Sequence, residues 1–222
     1  MAPESPETVS EMMTQTLQRL EVKASSSSDE NAVKFDVLEE MRKCGIPKKF
    51  RRAESEWKTP DFVKPYMPPE SRLMFRDFKG LFLTGNEGRK KSSTLCLLAR
   101  DWMERYGKGE KVWSFVSFPD LCMELQESWG EGRGGPSTRI NALSRVPILI
   151  IDDVGVEKTT DFVLQAAYLL FNKREQNELP TYGTSNFSIE VLSEKLDARI
   201  ASRIKGMCHV VAVGGEDARA KA

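Results

Sequence analysis

The chain has 222 residues, and its 33 basic side chains (Lys and Arg) equal its 33 acidic ones in number. A chain of this length can bury one good hydrophobic core, so we expect one domain with an appendage. The balanced charge excludes a protein drawn to nucleic acid or to a membrane by its overall field, and any contact with DNA must come from a local patch.

The cysteines and the hydropathy pattern favour a cytoplasmic protein. Cys44, Cys96, Cys122 and Cys208 lie far apart without a C-x-x-C pair, which argues against a zinc site and a disulfide framework. The apolar runs fall short of the ~20 residues that span a bilayer. The N-terminal stretch MAPESPETVSEMM lacks the basic and apolar regions of a signal peptide. We expect no membrane partner.

Residues 1–33 are rich in Ser, Glu and Thr, which predicts a mostly disordered N-terminal segment. Within it, Val9, Met13, Leu17 and Leu20 recur at helical spacing. Such a helix could bind a partner protein. A marginal helix that lies loosely on its own domain explains the same stripe.

Residues 34–79 predict a linker with one short helix, in VKFDVLEEMRKCG, followed by the basic segment GIPKKFRRA. The basic segment places Lys48, Lys49, Arg51 and Arg52 around Phe50. Cations around an aromatic ring can contact a phosphate backbone or the base of a nucleotide. A solvated basic surface is the alternative.

Strand and helix patterns alternate over residues 80–222. Helical periodicity, such as the apolar face of Leu95, Leu98, Trp102, Met103 and Tyr106, separates the candidate strands. This alternation predicts an α/β fold with a five-stranded parallel sheet flanked by helices. The continuous apolarity of VPILII predicts a strand inside the sheet. The five candidate strands are GLFLT, VWSFVS, VPILII, PTYGTS and HVVAV.

The stretch GNEGRKKSS, between the first strand and a helix, nearly matches the phosphate-binding pattern G-x-x-x-x-G-K-[ST]. Its glycines let backbone N–H groups turn toward a phosphate, and the following helix adds the positive end of its dipole. Lys91 would reach the β and γ phosphates of ATP, and Ser92 would hold Mg²⁺. The candidate nucleotide-binding residues of this loop are Gly85, Asn86, Glu87, Gly88, Arg89, Lys90, Lys91, Ser92 and Ser93.

Two acids, Asp152 and Asp153, follow the apolar run VPILII. An acid at the exposed end of a buried strand can bind Mg²⁺ through water, and its neighbour can orient or deprotonate an attacking water. Acids shortly before a glycine, here Gly155, also form turns. The phosphate loop upstream favours the catalytic interpretation.

Asn186 follows the strand PTYGTS, and Ser188 follows it as a plausible helix cap. An amide at the carboxyl end of a strand next to the phosphate strand faces the crevice where ligands bind. Taken alone, Asn186 is equally compatible with a turn.

The segment EVLSEKLDARIASRIKG predicts one helix whose stripe runs through Leu192, Leu196, Arg199 and Arg203. Neither arginine has an acid three or four residues away. An arginine of this kind is a candidate finger for the phosphate of a neighbouring subunit, and an ion pair elsewhere in the fold is the alternative.

The longest loop, SWGEGRGGPSTR, carries Arg133 and Arg139 among glycines. It could contact single-stranded DNA through these cations. A flexible connector is the more cautious interpretation.

Taken together, GLFLTGNEGRKKSSTL, ILIIDDVGVEK, PTYGTSN, ARIASRI and the closing GEDARAK resemble the AAA+ ATPases of the DnaC/IstB group, which are replicative helicase loaders and transposition helpers. The resemblance covers about residues 43–222. It implies that Asp152 serves Mg²⁺, Asp153 the attacking water and Asn186 the sensing of the γ phosphate. It further implies Arg203 as the finger in trans, with Arg199 as second choice, and Arg219 as a sensor of the nucleotide.

The resemblance also implies ATP and Mg²⁺ as cofactors, self-association, and a replicative DNA helicase or a transposase as partner, with single-stranded DNA. The nine residues after HVVAV leave no room for a C-terminal lid domain, as in that group. Both branches share the core. The N-terminal segment decides between the two; it is short, and we recognise in it neither a zinc site nor a helix-turn-helix. Its apolar stripe from Val9 to Leu20 offers a helix to a helicase and therefore favours the loader slightly.

Lys90 stands where the phosphate-loop pattern has its second glycine. A side chain there is expected to strain the backbone, at about 1–2 kcal/mol, and its charge can offset part of this by attracting phosphate. Two functions follow: an ATPase, or an adaptor of the same fold that holds nucleotide weakly or not at all.

Overall fold

The computed structural model describes residues 35–51, 58–71, 75, 78–109, 111–128, 136–156 and 160–214. The elements described here belong to one compact unit that begins at Asp36. The predicted helix around Val9 to Leu20, and the residues Arg52, Arg133 and Arg219, lie outside the described residues.

The sheet consists of the strands β1 (Gly80–Thr84), β2 (Trp113–Ser117), β3 (Ile148–Asp152), β4 (Thr181–Ser185) and β5 (Cys208–Ala212). These five strands are parallel and lie in the order β2-β3-β4-β1-β5, so the predicted parallel sheet is confirmed. The run VPILII supplies β3, which lies inside the sheet as expected.

Helices cover both faces of this sheet. In the described part of the chain they are α1 (Val37–Lys43), α2 (Lys91–Tyr106), α3 (Phe118–Glu127), α4 (Pro136–Arg145), α5 (Asp161–Gln176), α6 (Ile189–Lys195) and α7 (Ala198–Met207). Two 3-10 helices, Lys48–Phe50 and Asp61–Tyr66, lie between α1 and β1.

Helices on both faces of the sheet explain the continuous apolar run of β3. Along β3, Ile148 and Ile150 pack in the cluster that holds α1 and α2. Leu149 and Ile151 pack in the cluster that holds helices α3 to α7. Since successive side chains of a strand point to opposite faces, a strand covered on both sides favours apolar residues at successive positions, as in β3.

The prediction of one helix over EVLSEKLDARIASRIKG is wrong, because the chain breaks between α6 and α7. Leu196 leaves the helical conformation at φ −104° and ψ −84°, and Asp197 is extended. The Asp197 carboxylate caps α7 by accepting a hydrogen bond from the backbone N–H of Arg199 at 2.7 Å. A capping aspartate therefore outweighs the helical periodicity of the segment.

The loop SWGEGRGGPSTR is shorter than predicted, because α4 begins at Pro136 and includes Arg139. Proline is favoured in the first turn of a helix, where its missing N–H costs nothing. The Arg139 side chain pairs with Glu124 at 2.8 Å. Among the residues that the structure describes, we find no helix with the length and apolarity of a membrane span.

Candidate nucleotide-binding site

The predicted phosphate loop connects the carboxyl end of β1 to the first turn of α2. Gly85 and Gly88 have φ angles of 135° and 74°, a region that favours glycine. A Cβ on Gly85 would lie 2.5 Å from the carbonyl oxygen of Val213, beside β5. The absence of a side chain at Gly85 therefore allows the loop to pass this close to Val213.

Lys90, which stands at a glycine position of the phosphate-loop pattern, has a backbone conformation that favours glycine. Its φ of 55° and ψ of 21° lie in the left-handed region, and it precedes α2 directly. The backbone of Lys90 is therefore strained as expected, because this conformation costs a non-glycine residue about 1–2 kcal/mol of free energy. The exposed side chain adds a third cation to a loop that already holds Arg89 and Lys91.

Lys91 is buried at the first position of α2, and its ammonium group donates three hydrogen bonds. Two go to the loop itself, to the carbonyl oxygens of Gly85 at 2.7 Å and Asn86 at 2.8 Å. The third goes to the side-chain oxygen of Asn186 at 2.8 Å. The structure therefore brings the loop lysine and the predicted sensor residue into direct contact.

The contact between the loop and Asn186 follows from the register of the sheet. Thr84, at the end of β1, pairs with Ser185 at the end of β4. The next residues of both strands, Gly85 and Asn186, therefore emerge side by side at the carboxyl edge. Polar groups that follow neighbouring parallel strands meet at this edge, where ligands of such sheets bind.

Arg89 carries unsatisfied donors in the same loop. Its Nε and Nη1 atoms are buried and have no hydrogen-bond partner among the described residues. Buried guanidinium donors without acceptors are costly, and an anion such as phosphate would satisfy them. Together with the N-terminal turn of α2, these donors fit a bound phosphate group.

Asp152 ends β3 as a buried carboxylate. Its Oδ1 accepts a hydrogen bond from the hydroxyl group of Thr184, on β4, at 2.7 Å. A carboxylate held at the end of a buried strand is a ligand type that Mg²⁺ accepts. Ser92, the other predicted Mg²⁺ residue, and Ser93 are half-buried in the first turn of α2.

Asp153 lies next to this carboxylate with its backbone in the left-handed region, at φ 56°. Its backbone N–H donates to the Thr184 hydroxyl oxygen at 2.9 Å. Burial, and then the neighbouring Asp152 carboxylate, raise the pKa of the half-buried Asp153 side chain. A carboxylate with a raised pKa is better suited to accept a proton from an attacking water.

A cavity of about 310 Å³ opens beside the two acids. Lys49 and Phe50 of the basic segment line it together with Asp152 and Asp153. The Lys49 ammonium lies 4.7 Å from the centre of the Phe50 ring. One end of the basic segment therefore reaches the site, a proximity that its sequence alone did not reveal.

Arg199 and Arg203 do not enter this site within the chain itself. Arg203 forms an ion pair with Glu175 of α5 at 2.6 Å and also donates to the Tyr168 hydroxyl at 3.4 Å. Arg199 pairs with its own helix cap, Asp197, at 2.8 Å, and stacks on the Tyr168 ring. Neither partner lies three or four residues away, because Asp197 is two residues from Arg199 and Glu175 is on a different helix from Arg203.

The side chains at this edge of the sheet are chemically suited to bind a nucleotide with Mg²⁺. Cationic and N–H donors lie on the loop side of the edge, where Arg89 has buried donors without acceptors. The carboxylates of Asp152 and Asp153 lie on the β3 side. Phosphate groups need the first set and a divalent cation needs the second.

The family model described as "IstB-like ATP binding protein" matches residues 71–222. The chain is 27% identical over 154 residues to the replicative helicase loader DnaI of Bacillus subtilis (strain 168), covering 64% of this chain and 48% of that protein. It therefore spans about half the length of this curated relative.

Solved structures of two helicase loaders have the same fold. A crystal structure of DnaI superposes with a TM-score of 0.63 at 24% identity, over 76% of this chain and 94% of that one. A crystal structure of the DnaC helicase loader superposes with a TM-score of 0.62 at 18% identity, over 76% of this chain and 100% of that one. The chain therefore shares the α/β fold of these two structures.

Proposed function

The chain belongs to the IstB-like ATP-binding proteins, and from this we propose that it is an ATPase that helps to load a hexameric replicative helicase onto DNA. The observation that carries the proposal is the meeting of Lys91, Asn186 and the pair Asp152 and Asp153 at one edge of the sheet. Family membership and the likeness to a helicase loader supply the biological setting.

Each of these side chains has a defined role in the proposed reaction. Lys91 exchanges its bonds to the loop carbonyls for bonds to the β and γ phosphates. Asp152, with Ser92, would hold Mg²⁺, and the ion would neutralise charge on the phosphates. Asp153 orients a water and accepts its proton, and Asn186 contacts the γ phosphate. Asn186 already binds Lys91, so Asn186 is suited to respond when a phosphate group replaces it as the partner of Lys91.

Self-association forms part of the proposal. Arg203 stabilises the phosphate charge of a neighbouring subunit, and Arg199 is its second candidate. In the single chain Arg203 is bound to Glu175, so assembly has to replace this ion pair. The residue is therefore held in place before assembly, and Glu175 competes with the neighbour's phosphate for it.

The partner side of the proposal rests on a relative and on two segments of this chain. The relative is a replicative helicase loader. The apolar stripe of the N-terminal segment, residues 1–33, is the proposed helicase contact. Lys48 and Lys49, exposed on the first 3-10 helix, are the proposed contact for single-stranded DNA.

Capture of the helicase tests the coupling to ATP. The hexameric replicative helicase from the same genome is immobilised, and the wild-type chain is applied with and without ATP and Mg²⁺. We expect ATP to change the amount captured for the wild type and for Lys108→Ala, which alters an exposed lysine beyond the far end of α2. Lys91→Ala abolishes the effect. Capture that ignores ATP and Lys91 would contradict the proposal.

A transposition helper is the second candidate, favoured by the family model that matches the chain. The same experiment with the transposase as bait separates the two, since a helper is retained by the transposase and a loader by the helicase. The adaptor without hydrolysis is the third candidate, and the strained Lys90 favours it.

A further inference from the structure

Thr184 lies at the carboxyl end of β4, between two residues with roles in the candidate site. The register of the sheet pairs Ile151 with Gly183, so Thr184 faces Asp152 one step further along. The side chain is fully buried. Its hydroxyl joins the ends of β3 and β4 through hydrogen bonds.

The direction of each hydrogen bond at this hydroxyl is fixed by its partner. The backbone N–H of Asp153 can only donate, so the Thr184 oxygen accepts there, at 2.9 Å. The hydroxyl group therefore donates its hydrogen bond to Asp152 Oδ1, at 2.7 Å. One hydroxyl group therefore binds both acids at once, the first through its carboxylate and the second through its backbone.

These two bonds orient groups that would otherwise have alternatives. The bond to Oδ1 fixes the rotation of the Asp152 carboxylate. The bond from the Asp153 N–H supports a backbone in the left-handed region, which is costly for a residue with a Cβ. Outer hydrogen-bond partners of metal ligands hold them in the geometry that the metal requires.

We propose that Thr184 is a positioning residue that orients Asp152 for Mg²⁺ and Asp153 for the attacking water. This inference rests on the proposed function. Thr184, Ser185 and Asn186, at the end of β4, then have different roles. Thr184 positions the acids, Ser185 bonds to the carbonyl oxygen of Val154 at 2.7 Å, and Asn186 bonds to Lys91.

Thr181, at the opposite end of the same strand, supplies a matched control. It is also a buried threonine, and its hydroxyl donates to the carbonyl oxygen of Leu179 at 3.1 Å and accepts from Arg174 at 2.9 Å. Thr181→Val therefore removes an equivalent pair of buried hydrogen bonds without touching the acids. It reports the general cost of losing a hydroxyl group in this strand.

The test compares the Mg²⁺ dependence of ATP binding in the wild-type chain, Thr184→Val, Thr184→Ser and Thr181→Val. Calorimetric titration with ATP is carried out in EDTA and across a Mg²⁺ series, so the readout is binding and not turnover. For Thr184→Val we expect unchanged affinity in EDTA and an apparent Mg²⁺ affinity weaker by about 10- to 100-fold. Thr184→Ser keeps the hydroxyl and behaves as the wild type, as does Thr181→Val.

A second readout needs no nucleotide. In the nucleotide-free protein the Asp153 amide loses its acceptor in Thr184→Val, so its hydrogen exchange measured by NMR becomes faster, and Thr184→Ser restores the native rate. If the valine variant does not fold, Thr184→Cys replaces it, because a thiol of similar size is only a weak donor and acceptor.

Three outcomes would overturn the inference. Wild-type Mg²⁺ affinity in a folded Thr184→Val or Thr184→Cys removes the positioning role. An equal loss in Thr181→Val makes the effect a general one of strand stability. Absence of ATP binding by the wild type contradicts the proposed function as well, and this control distinguishes the two failures.

Discussion

Lys90 stands at a glycine position of the phosphate-loop pattern, with its backbone in the left-handed region. The residue has two opposing effects, since its Cβ strains the loop and its charge lies beside the predicted phosphate position. Substitutions that change the two separately can therefore measure each of them.

Lys90→Gly should raise the thermal stability of the nucleotide-free chain. Relief of the left-handed strain, less the extra backbone entropy of glycine, gives about 1 kcal/mol, or a Tm higher by roughly 2–4 °C for a chain of this size. Lys90→Ala keeps the Cβ and loses the charge, so it should leave Tm unchanged and weaken ATP binding.

The same variant separates the ATPase from the adaptor. If the native loop is competent, as we propose, turnover of ATP by Lys90→Gly stays close to that of the wild type. A large rise in turnover would identify the native protein as an adaptor whose loop is held back by its lysine.

Asp153→Asn should alter how stability depends on pH. Because the folded chain raises the pKa of Asp153 above its unfolded value, the folded state binds its proton more tightly, and stability falls as pH rises between the two values. Asp153→Asn removes this loss. Denaturant unfolding should therefore show the variant to be more stable than the wild type near pH 7, with the pH-dependent part of the gain disappearing below the ordinary aspartate pKa. A gain of the same size at every pH would contradict the raised pKa.

At the scale of elements, Arg174 joins α5 to the strands that carry the site. Its fully buried guanidinium donates to Thr181 Oγ1 and to the carbonyl oxygens of Leu143, Val146 and Pro180, at 2.7–2.9 Å. These bonds connect the end of α4, the start of β3 and the start of β4. The carboxyl ends of the same two strands hold the acids and Asn186.

Arg174→Met should lower the free energy of unfolding by about 3 kcal/mol or more, because buried acceptors lose their donors. Urea denaturation measures the change. Arg145→Met, at the exposed end of α4, is the matched control and should have little effect. Equal stability of the two variants would mean that the buried hydrogen bonds of Arg174 contribute nothing net.

The elements also show what could be predicted from sequence. The strands β1 and β3 could be predicted from the runs GLFLT and VPILII, because a sheet covered on both faces favours continuous apolar runs. The break between α6 and α7 could not be read from periodicity, because a cap at Asp197 competes with the helix on both sides of it.

Within the site, predictability depended on whether a residue's role comes from its place in a strand or from a distant partner. Asp152, Asp153 and Asn186 were predicted because each lies at or directly after the carboxyl end of a predicted strand. Thr184 was missed because the acid that it binds lies 32 positions away, and Glu175 was missed because it meets Arg203 from 28 positions away. Contacts across such separations are set by strand register and helix packing.

At the scale of the whole molecule, the proposed finger requires two chains for one reaction. Lys91→Ala lacks the phosphate lysine and keeps Arg203, and Arg203→Ala has the reverse. Each variant alone should lose about 10³-fold or more in turnover, and a mixture should recover part of it, because one kind of site combines both native residues. ATP turnover against mixing ratio measures this. Arg199→Ala should retain activity, and an inactive mixture would contradict the finger in trans.

The central claim is that ATP with Mg²⁺ binds at the loop between β1 and α2, although Lys90 intrudes there. Calorimetric titration of the folded wild-type chain with ATP, at millimolar Mg²⁺, tests it most directly. We expect saturable binding of ATP at one site per chain. This binding is lost in Lys91→Ala and retained in Lys108→Ala. Absence of any heat of association up to millimolar ATP, with circular dichroism showing a folded chain, would contradict it.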